Sequence, residues 1–556
     1  MCGIFAYISC NIIKEDLLQK INIEGMKCKK RGPDNTVTKM VDNNKFLMFH
    51  RLKINDMSEQ GNQPIVHPDD FNITLICNGE IYNWKELADA NNFNTKSTSD
   101  CEIIVHMYKK YGIEETIQKL DGVFAFVLID KNKNIIHAAR DPIGVRSFYI
   151  GTSKDSLVLA SECKNLDNLS ESIIQFKPGS FISIDFNKLP KNISDIVFND
   201  YYKLMLNKQN WRLNSDINEK TILKKIRDKL DSAIEKRLLS DRPIGCLLSG
   251  GLDSSLITAL VAKKLNRRIK TFSVGLEGSV DLDCAQKVAN YVGTDHFQLK
   301  LSIDEMFNSI PEVIKEIETY DITTIRASTP MYLLSKYIKE NTDITVLFSG
   351  EGSDEASGSY LYFHNAPNEN DFDSEIERLM TDLSYFDVLR CDKSTASAGL
   401  EVRVPFLDKA FLEYYLGIHP KFKIPKNYKI EKYLLRKTYD DNLLPDDILW
   451  RTKEGMSDGV SSQTKAWYEI IQDKIDTLIS DEEFLNNAKK FAHNTPLSKE
   501  SYYYRKIFES NLTNRSSIIP YFWMPKWSGE VNDPSARVLN VYNSQDNNEE
   551  ITQSLC

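Results

Sequence analysis

Along the first 190 or so residues, short apolar runs alternate with turn-forming residues. Runs at 3–8, 45–49, 73–77, 123–129, 135–139, 147–150, 157–160 and 180–184 have the length and flanking signals of strands. Helical periodicity interrupts them at 101–110 and 113–120. Many short strands with few helices predict a β-rich layered body. From 185 to 207 the chain turns polar and loses its period, and a domain boundary is placed there. Beyond Glu219 the rhythm changes to helix 222–239, strand 244–249, helix 252–265, strand 270–274, helix 283–292, strand 296–301, helix 330–339 and strand 344–348. Apolar strands alternating with helices predict a parallel sheet covered on both faces. After about residue 370 the pattern is mostly helical, and the polar stretch 543–556 reads as a frayed tail.

Composition narrows the function. The 556 residues suffice for several domains, and no apolar run approaches the ~20 residues of a bilayer span. The first residues show no basic region ahead of an apolar core, so a secretory signal is not expected. With 70 basic against 79 acidic residues, the net charge of −9 argues against a nucleic-acid partner. Short basic runs such as 27–31 are read as solvated surface. Ten cysteines lie scattered without a Cys-x-x-Cys pair, and eight histidines show no ligand spacing, which argues against a structural zinc. Most thiols sit in apolar runs and fit a reducing, cytoplasmic compartment. Cys2 does not fit that pattern.

Two loops carry chemistry. In Leu247-Leu248-Ser249-Gly250-Gly251-Leu252-Asp253-Ser254-Ser255, a buried strand enters a Gly-Gly turn, and a helix begins with hydroxyls in its first turn. Backbone N–H groups and the positive helix end then converge on one point, a geometry that binds phosphate or pyrophosphate. The chain has neither Gly-Lys-Ser/Thr nor Gly-x-Gly-x-x-Gly, so this is neither a Walker loop nor the dinucleotide fingerprint. Asp253 beside such a cradle is placed to hold Mg²⁺. The second loop, Val346-Leu347-Phe348-Ser349-Gly350-Glu351-Gly352-Ser353-Asp354-Glu355, packs three carboxylates into five residues. Such carboxylates repel unless a cation or a proton occupies them. Asp354 is the candidate to share the metal, and Glu351 to handle a proton. An acidic helix start stabilised by the helix dipole is the alternative.

The loop 249–255 looks like the pyrophosphate loop of ATP-pyrophosphatases. Joined to an N-terminal Met-Cys-Gly-Ile-Phe, it resembles the glutamine-hydrolysing asparagine synthetases. The resemblance extends through Arg31-Gly32-Pro33-Asp34, His50-Arg51-Leu52, Asn78-Gly79-Glu80-Ile81-Tyr82-Asn83, Arg140-Asp141-Pro142-Ile143-Gly144, Glu318-Thr319-Tyr320-Asp321, Thr323-Thr324-Ile325-Arg326-Ala327-Ser328 and Glu401-Val402-Arg403-Val404-Pro405-Phe406-Leu407-Asp408. It implies an α+β N-terminal-nucleophile sandwich (layered αββα) over 1–190. An α/β parallel-sheet ATP-pyrophosphatase domain with a helical C-terminal part would follow over 210–525, with a tail at 526–556. It also implies ATP and Mg²⁺ as cofactors, glutamine and aspartate as substrates, and a homodimer.

For the first domain, the resemblance implies that Cys2, freed of Met1, attacks the glutamine amide to form a γ-glutamyl thioester and release ammonia. The freed α-amine, with a reference pKa of about 7.7–8.0, is a suitable base. Asn78 and the Gly79 N–H match the oxyanion hole. Arg51 would pair with the substrate α-carboxylate and Asp100 with its α-ammonium, assisted by Glu80, with Leu52, Lys53, Ile54 and Asn55 completing the glutamine site. Taken alone, Asn78-Gly79 also reads as a turn and Arg51 as a surface ion pair. Asn35 follows Asp34 where relatives usually carry glycine, which bears on loop shape.

For the second domain, the resemblance implies that aspartate attacks the α-phosphate of ATP to give β-aspartyl-AMP and pyrophosphate, and that ammonia then displaces AMP. Leu248, Ser249, Gly250, Gly251, Asp253, Ser254, Ser255, Val274, Ser349 and Gly350 match the nucleotide site, with Asp253 and Asp354 as metal ligands. Glu351 matches a residue linked to adenylation and proton transfer, and Lys453 one that neutralises phosphate charge. Lys453 also reads as an exposed loop lysine. Thr323, Thr324, Arg326, Glu401, Arg403 and Asp408 are assigned to the aspartate pocket or its supporting shell. Ala356-Ser357-Gly358-Ser359-Tyr360 departs from the Phe-Gly-Gly-Tyr run of relatives, with Ser357 expected to lose packing and Ser359 to restrict φ. Two sites imply a dry passage for ammonia, because ammonium is not a nucleophile. The competing readings are an amidotransferase acting on another carboxylate and a catalytically silent relative.

Overall fold

A computed structural model describes residues 1–204, 212–213, 216–452, 455–462, 465–529 and 531–539. Seventeen strands form three sheets among these residues. The first sheet runs β10 (Ser172–Gln175), β8 (Tyr149–Ser153), β9 (Ser156–Ala160), β1 (Gly3–Ser9), β3 (Lys45–Arg51), β2 (Asn35–Asp42). The second runs β12 (Asn199–Asp200), β11 (Ser180–Asp185), β7 (Ile135–Arg140), β6 (Gly122–Asp130), β5 (Asp70–Ile81), β4 (Ile65–His67). Both are antiparallel.

The two sheets pack face to face because alternate side chains of each strand point to opposite faces. Ile4, Ala6, Ile8, Leu47 and Phe49 of the first sheet meet Ile76, Ala125, Val127, Ile129 and Ala138 of the second. The intervening Phe124, Phe126 and Leu128 face outward, where helices Trp84–Asn91 and Ile103–Lys119 cover them. Helix Glu15–Met26 covers the far face of the first sheet through Ile21 against Phe5, Phe46 and Met48. The αββα layering is thus observed. Each larger apolar side chain buried this way contributes about 1.5–3 kcal/mol. Helix Ile103–Lys119 breaks at Gly112 (φ 77°, ψ 178°), which is why the sequence shows two separate helical stretches.

The third sheet is parallel, in the order β15 (Asp295–Leu301), β14 (Lys270–Leu276), β13 (Ile244–Leu247), β16 (Val346–Phe348), β17 (Glu401–Arg403). Strand order reverses between β13 and β16, and a crevice opens beyond their carboxyl ends, where open α/β sheets bind ligands. Helical and 3-10 segments dominate after Glu369.

Several elements were not legible from the pattern. Strands β4, β12 and β17 have two or three residues each, and β2 is a half-exposed edge rich in polar residues. Pro311 and Pro330 lie inside helices Ile303–Ile317 and Ile322–Asn341, so the pattern hides the first helix and shows the second only from its proline onward. Strand β12 extends the second sheet into the polar stretch at 185–207. The tail residues 540–556 lie outside the described residues.

Candidate functional site

Cys2 precedes β1, which pairs with β3 so that Gly3 lies opposite His50. That register sets the Cys2 thiol beside Leu52, whose N–H donates to Sγ at 3.4 Å. The thiol faces a small cavity walled by Arg51, Leu52, Ile54, Asn55, Asn78, Gly79, Glu80, Asp100 and Glu401. Burial pushes the Cys2 thiol up to about 11, partly opposed by the Met1 amine. That amine is itself buried, donates to the Leu400 carbonyl at 3.4 Å, and is lowered to about 6 by desolvation.

Asn78 lies within the long strand β5, paired opposite Ala125, and both its side-chain polar atoms are buried without a hydrogen-bond partner. Unsatisfied buried amides are costly, so this amide is placed for a ligand. A Cβ at Gly79 would meet the Val123 carbonyl oxygen at 2.4 Å, which requires glycine there. Asp100 accepts from the Ile81 N–H (2.6 Å) and from Asn55 (3.4 Å), and burial raises it to about 6. Asn55 also donates to Glu80 at 2.6 Å, and burial holds Glu80 well above the usual carboxylate range, reinforced by Glu401 and Asp100. Arg51 donates to the carbonyls of Ser58 (2.6 Å) and Asp56 and to Asn62 (2.9 Å), with an edge on the cavity. The Lys53 side chain is corrected out of this site, because it pairs with Glu59 on the surface at 2.9 Å.

The second cavity is the crevice beyond β13, β14 and β16. Leu248, Ser249, Gly251, Asp253, Ser254, Val274, Ser349 and Gly350 line it. Ser254 Oγ accepts from the Ser249 N–H at 3.1 Å and shares a hydroxyl contact with Ser249 at 3.0 Å, which shapes the loop. Gly250 takes φ +78°, and a Cβ there would strike Ala285 N at 2.4 Å. A Cβ at Gly350 would lie 2.8 Å from Ser254 N, so glycine lets the two loops touch. Ser255 does not line the crevice, and its hydroxyl is wholly buried without a partner.

Across the crevice, Glu351 pairs with Arg390, and Glu351, Glu355 and Asp387 bring carboxylate oxygens within 4.8 Å of one another. Burial raises Glu351 to about 7, aided by Asp387 and opposed by Arg390. Asp253 and Asp354 face each other with the Lys432 ammonium between them, 2.6 Å from Asp354. Two carboxylates from separate loops supply the hard oxygen donors that Mg²⁺ takes, so the residues fit that ion. Lys453 lies outside the described residues.

The aspartate-pocket assignment divides. Thr323 and Thr324 line the crevice at the start of helix Ile322–Asn341, and Thr323 Oγ1 is buried without a partner. The other four do not line the crevice, and ion pairs hold each of them. Arg326 is held by Glu500 (2.6 Å) and Asp533 (2.7 Å), and Asp408 by Lys236 (2.5 Å) and Arg237 (2.6 Å). Arg403 pairs with Glu401 (2.9 Å) and Glu80 (3.4 Å), which places both Glu401 and Arg403 at the Cys2 cavity. Asp387, Arg390 and Lys432 also line the crevice, but no motif flags them.

The description "Asparagine synthase" matches residues 225–375 and 365–532, and "Glutamine amidotransferase domain" matches 1–216. The chain is 43% identical over 565 residues to the asparagine synthetase [glutamine-hydrolyzing] of Cricetulus griseus, with 98% of this chain and 99% of that protein covered. Its counterpart in Gallus gallus is 43% identical and that in Homo sapiens 42%, with the same coverage.

Proposed function

The chain belongs to the glutamine-hydrolysing asparagine synthetase family, and we propose that its two cavities run the two half-reactions of asparagine synthesis in series. Aspartate is amidated at the expense of ATP, with nitrogen taken from glutamine. The observation that carries this reading is that one chain keeps both an N-terminal thiol cavity and a strand-end phosphate crevice intact. The division is a glutaminase domain over 1–190, a synthetase domain over 210–525 and a tail beyond.

In the first cavity, removal of Met1 frees the Cys2 amine to accept the thiol proton. The thiolate attacks the glutamine amide carbon. Asn78 Nδ2 and the Gly79 N–H receive the oxyanion, where preorganised donors are worth most. Ammonia leaves as the thioester forms, and water then releases glutamate. Asp100 and Glu80 hold the substrate ammonium and Arg51 its carboxylate.

In the crevice, the loops 249–254 and 349–350 hold the nucleotide. Asp253 and Asp354 would hold Mg²⁺, which neutralises phosphate charge. Thr323 and Thr324 orient aspartate, whose β-carboxylate attacks the α-phosphate. A carboxylate is a poor acyl donor, so adenylation precedes amidation. Glu351, raised to about 7, accepts a proton from the incoming ammonia as AMP departs. Lys453 retains its proposed role against phosphate charge. Glu401, a residue of the synthetase sheet, lines the Cys2 cavity, so ammonia meets the second domain at its source.

Among the described residues no helix is long and apolar enough to cross a membrane. The free cysteines support a cytoplasmic location, and sedimentation of the purified chain tests the homodimer. Incubation with amide-¹⁵N glutamine, aspartate and Mg·ATP should yield labelled asparagine in step with AMP. AMP without labelled asparagine overturns nitrogen transfer and favours a different carboxylate acceptor.

A further inference from the structure

Lys432 lies in no motif, yet its ammonium occupies the point where the two strand-end loops converge. Its side chain is 1% exposed, whereas those of Asp253 and Asp354 are 13% and 15% exposed and face the crevice. The Lys432 backbone is left-handed (φ +58°), a conformation that costs a non-glycine residue energy and that persists where the surroundings impose it. Two further contacts of the pair are also built. Ser353 donates to Asp253 Oδ1 at 2.7 Å, and Ser359 to Asp354 Oδ1 at 2.7 Å. The two hydroxyls fix the carboxylates so that one oxygen of each converges on the ammonium.

We propose that Lys432 is an internal counter-ion that closes the Asp253–Asp354 pair to free divalent metal, so that the metal enters only together with nucleotide phosphate. The inference rests on the reading of the crevice as a metal–nucleotide site. Two carboxylates facing each other at low exposure need a cation, and the lysine supplies one in the empty enzyme. A divalent ion arriving alone has to expel the ammonium, which then stands buried beside a double positive charge with no anion to pair with. Polyphosphate removes that penalty by offering the ammonium a new partner on the same side of the crevice. Lys432 and metal therefore compete, whereas nucleotide and metal cooperate. By linkage each affects the other's affinity by the same factor.

The test uses the full chain and Mn²⁺ as the probe, with bound metal read by electron paramagnetic resonance. Wild type is titrated alone and with α,β-methylene-ATP, beside K432M and K432Q, and D253N is used to subtract metal held elsewhere on this acidic surface. Expected is a D253N-sensitive site that in wild type tightens at least about tenfold with the nucleotide. In K432M and K432Q that site should bind Mn²⁺ alone at least about tenfold more tightly than in wild type. Equal affinity of wild type for free Mn²⁺ with and without nucleotide overturns the proposal, and this arm needs no variant to fold. Equal affinity of wild type and both variants, with unchanged thermal melting, also overturns it. A wild type that binds no Mn²⁺ even with nucleotide overturns the metal–nucleotide reading itself, and the proposal with it.

Discussion

Ser359 Oγ donates to Asp354 at 2.7 Å from a wholly buried position, in the segment where the sequence departs from its relatives. The left-handed turn falls on Gly358 (φ +62°), so a serine at 359 restricts nothing the fold needs. S359A removes one hydrogen bond to a carboxylate, a contact worth about 1.5–3 kcal/mol. The KM for Mg·ATP should rise about tenfold in pyrophosphate-release assays, with a fall of a few degrees in melting temperature. Glu351 gives a second test. Its carboxyl is raised to about 7, foremost by burial, so the base form is lost as pH falls through 7. Ammonia-driven synthesis at constant free ammonia should fall below about pH 7, and E351Q should lack that limb. The sign for stability is opposite. The folded state favours protonated Glu351, so its contribution is full below the ordinary carboxyl value of 4.5 and is lost as pH rises through about 7. The sequence showed Glu351 and Asp253 because a strand-to-helix turn marks each of them, and Asn78 through its Asn-Gly pair, although it lies inside β5. It hid Lys432 and Arg390, whose local sequence is that of any charged helix and whose partners lie 78 to 179 and 39 residues away.

Strand β17 shows how a three-residue element can matter beyond its length. Glu401 and Arg403 start and end it, one reaching the Cys2 cavity and the other pairing with Glu401 and Glu80. The Ser349 N–H donates to the Arg403 carbonyl at 3.0 Å, so the same strand also props the nucleotide loop. Arg403 further donates to the backbone carbonyls of Arg237 and Leu239, and burial leaves it no solvent to replace them. R403A strands two buried carboxylates and should cost about 3–5 kcal/mol, seen as a clear drop in melting temperature. R403K should recover part of that loss, because it keeps the charge but not the fork. At this element the side chains turn to the Cys2 cavity while the backbone supports the crevice loop. The block 401–408 is conspicuous as sequence, but its charges are spent on neighbouring ions, and only the fold decides which cavity a strand end faces.

At the scale of the molecule, the two halves meet across buried charge. Arg31 Nε donates to the Cys2 carbonyl at 3.1 Å, and its Nη2 donates to Asp392 at 2.8 Å, a partner 361 residues away. Asp392 also receives the Ser147 hydroxyl at 3.0 Å and lies 3.6 Å from Arg146. Asp392 belongs to helix Asp387–Ala396, whose first turn carries Asp387 and whose Arg390 holds Glu351. A single rigid helix therefore touches the support of the nucleophile and the support of the adenylation site. Neither half shows this in its own sequence, because the partners are too far apart for any local pattern. Separate cavities predict that C2A abolishes glutamine-dependent synthesis, by at least about a thousandfold, yet leaves ammonia-dependent synthesis near wild type. D392N tests the joint between them. It keeps the shape but removes the charge that Arg31 and Arg146 share, leaving Arg31 to Glu162 and Arg146 to Glu401. Both half-reactions keep their reacting groups, so glutamine hydrolysis and ammonia-dependent synthesis should each survive. Transfer between them should not. Glutamate formed per asparagine should rise severalfold above wild type as ammonia escapes to water, measured by mass spectrometry of both products in one reaction. An unchanged ratio with a lowered melting temperature would confine Asp392 to structural support.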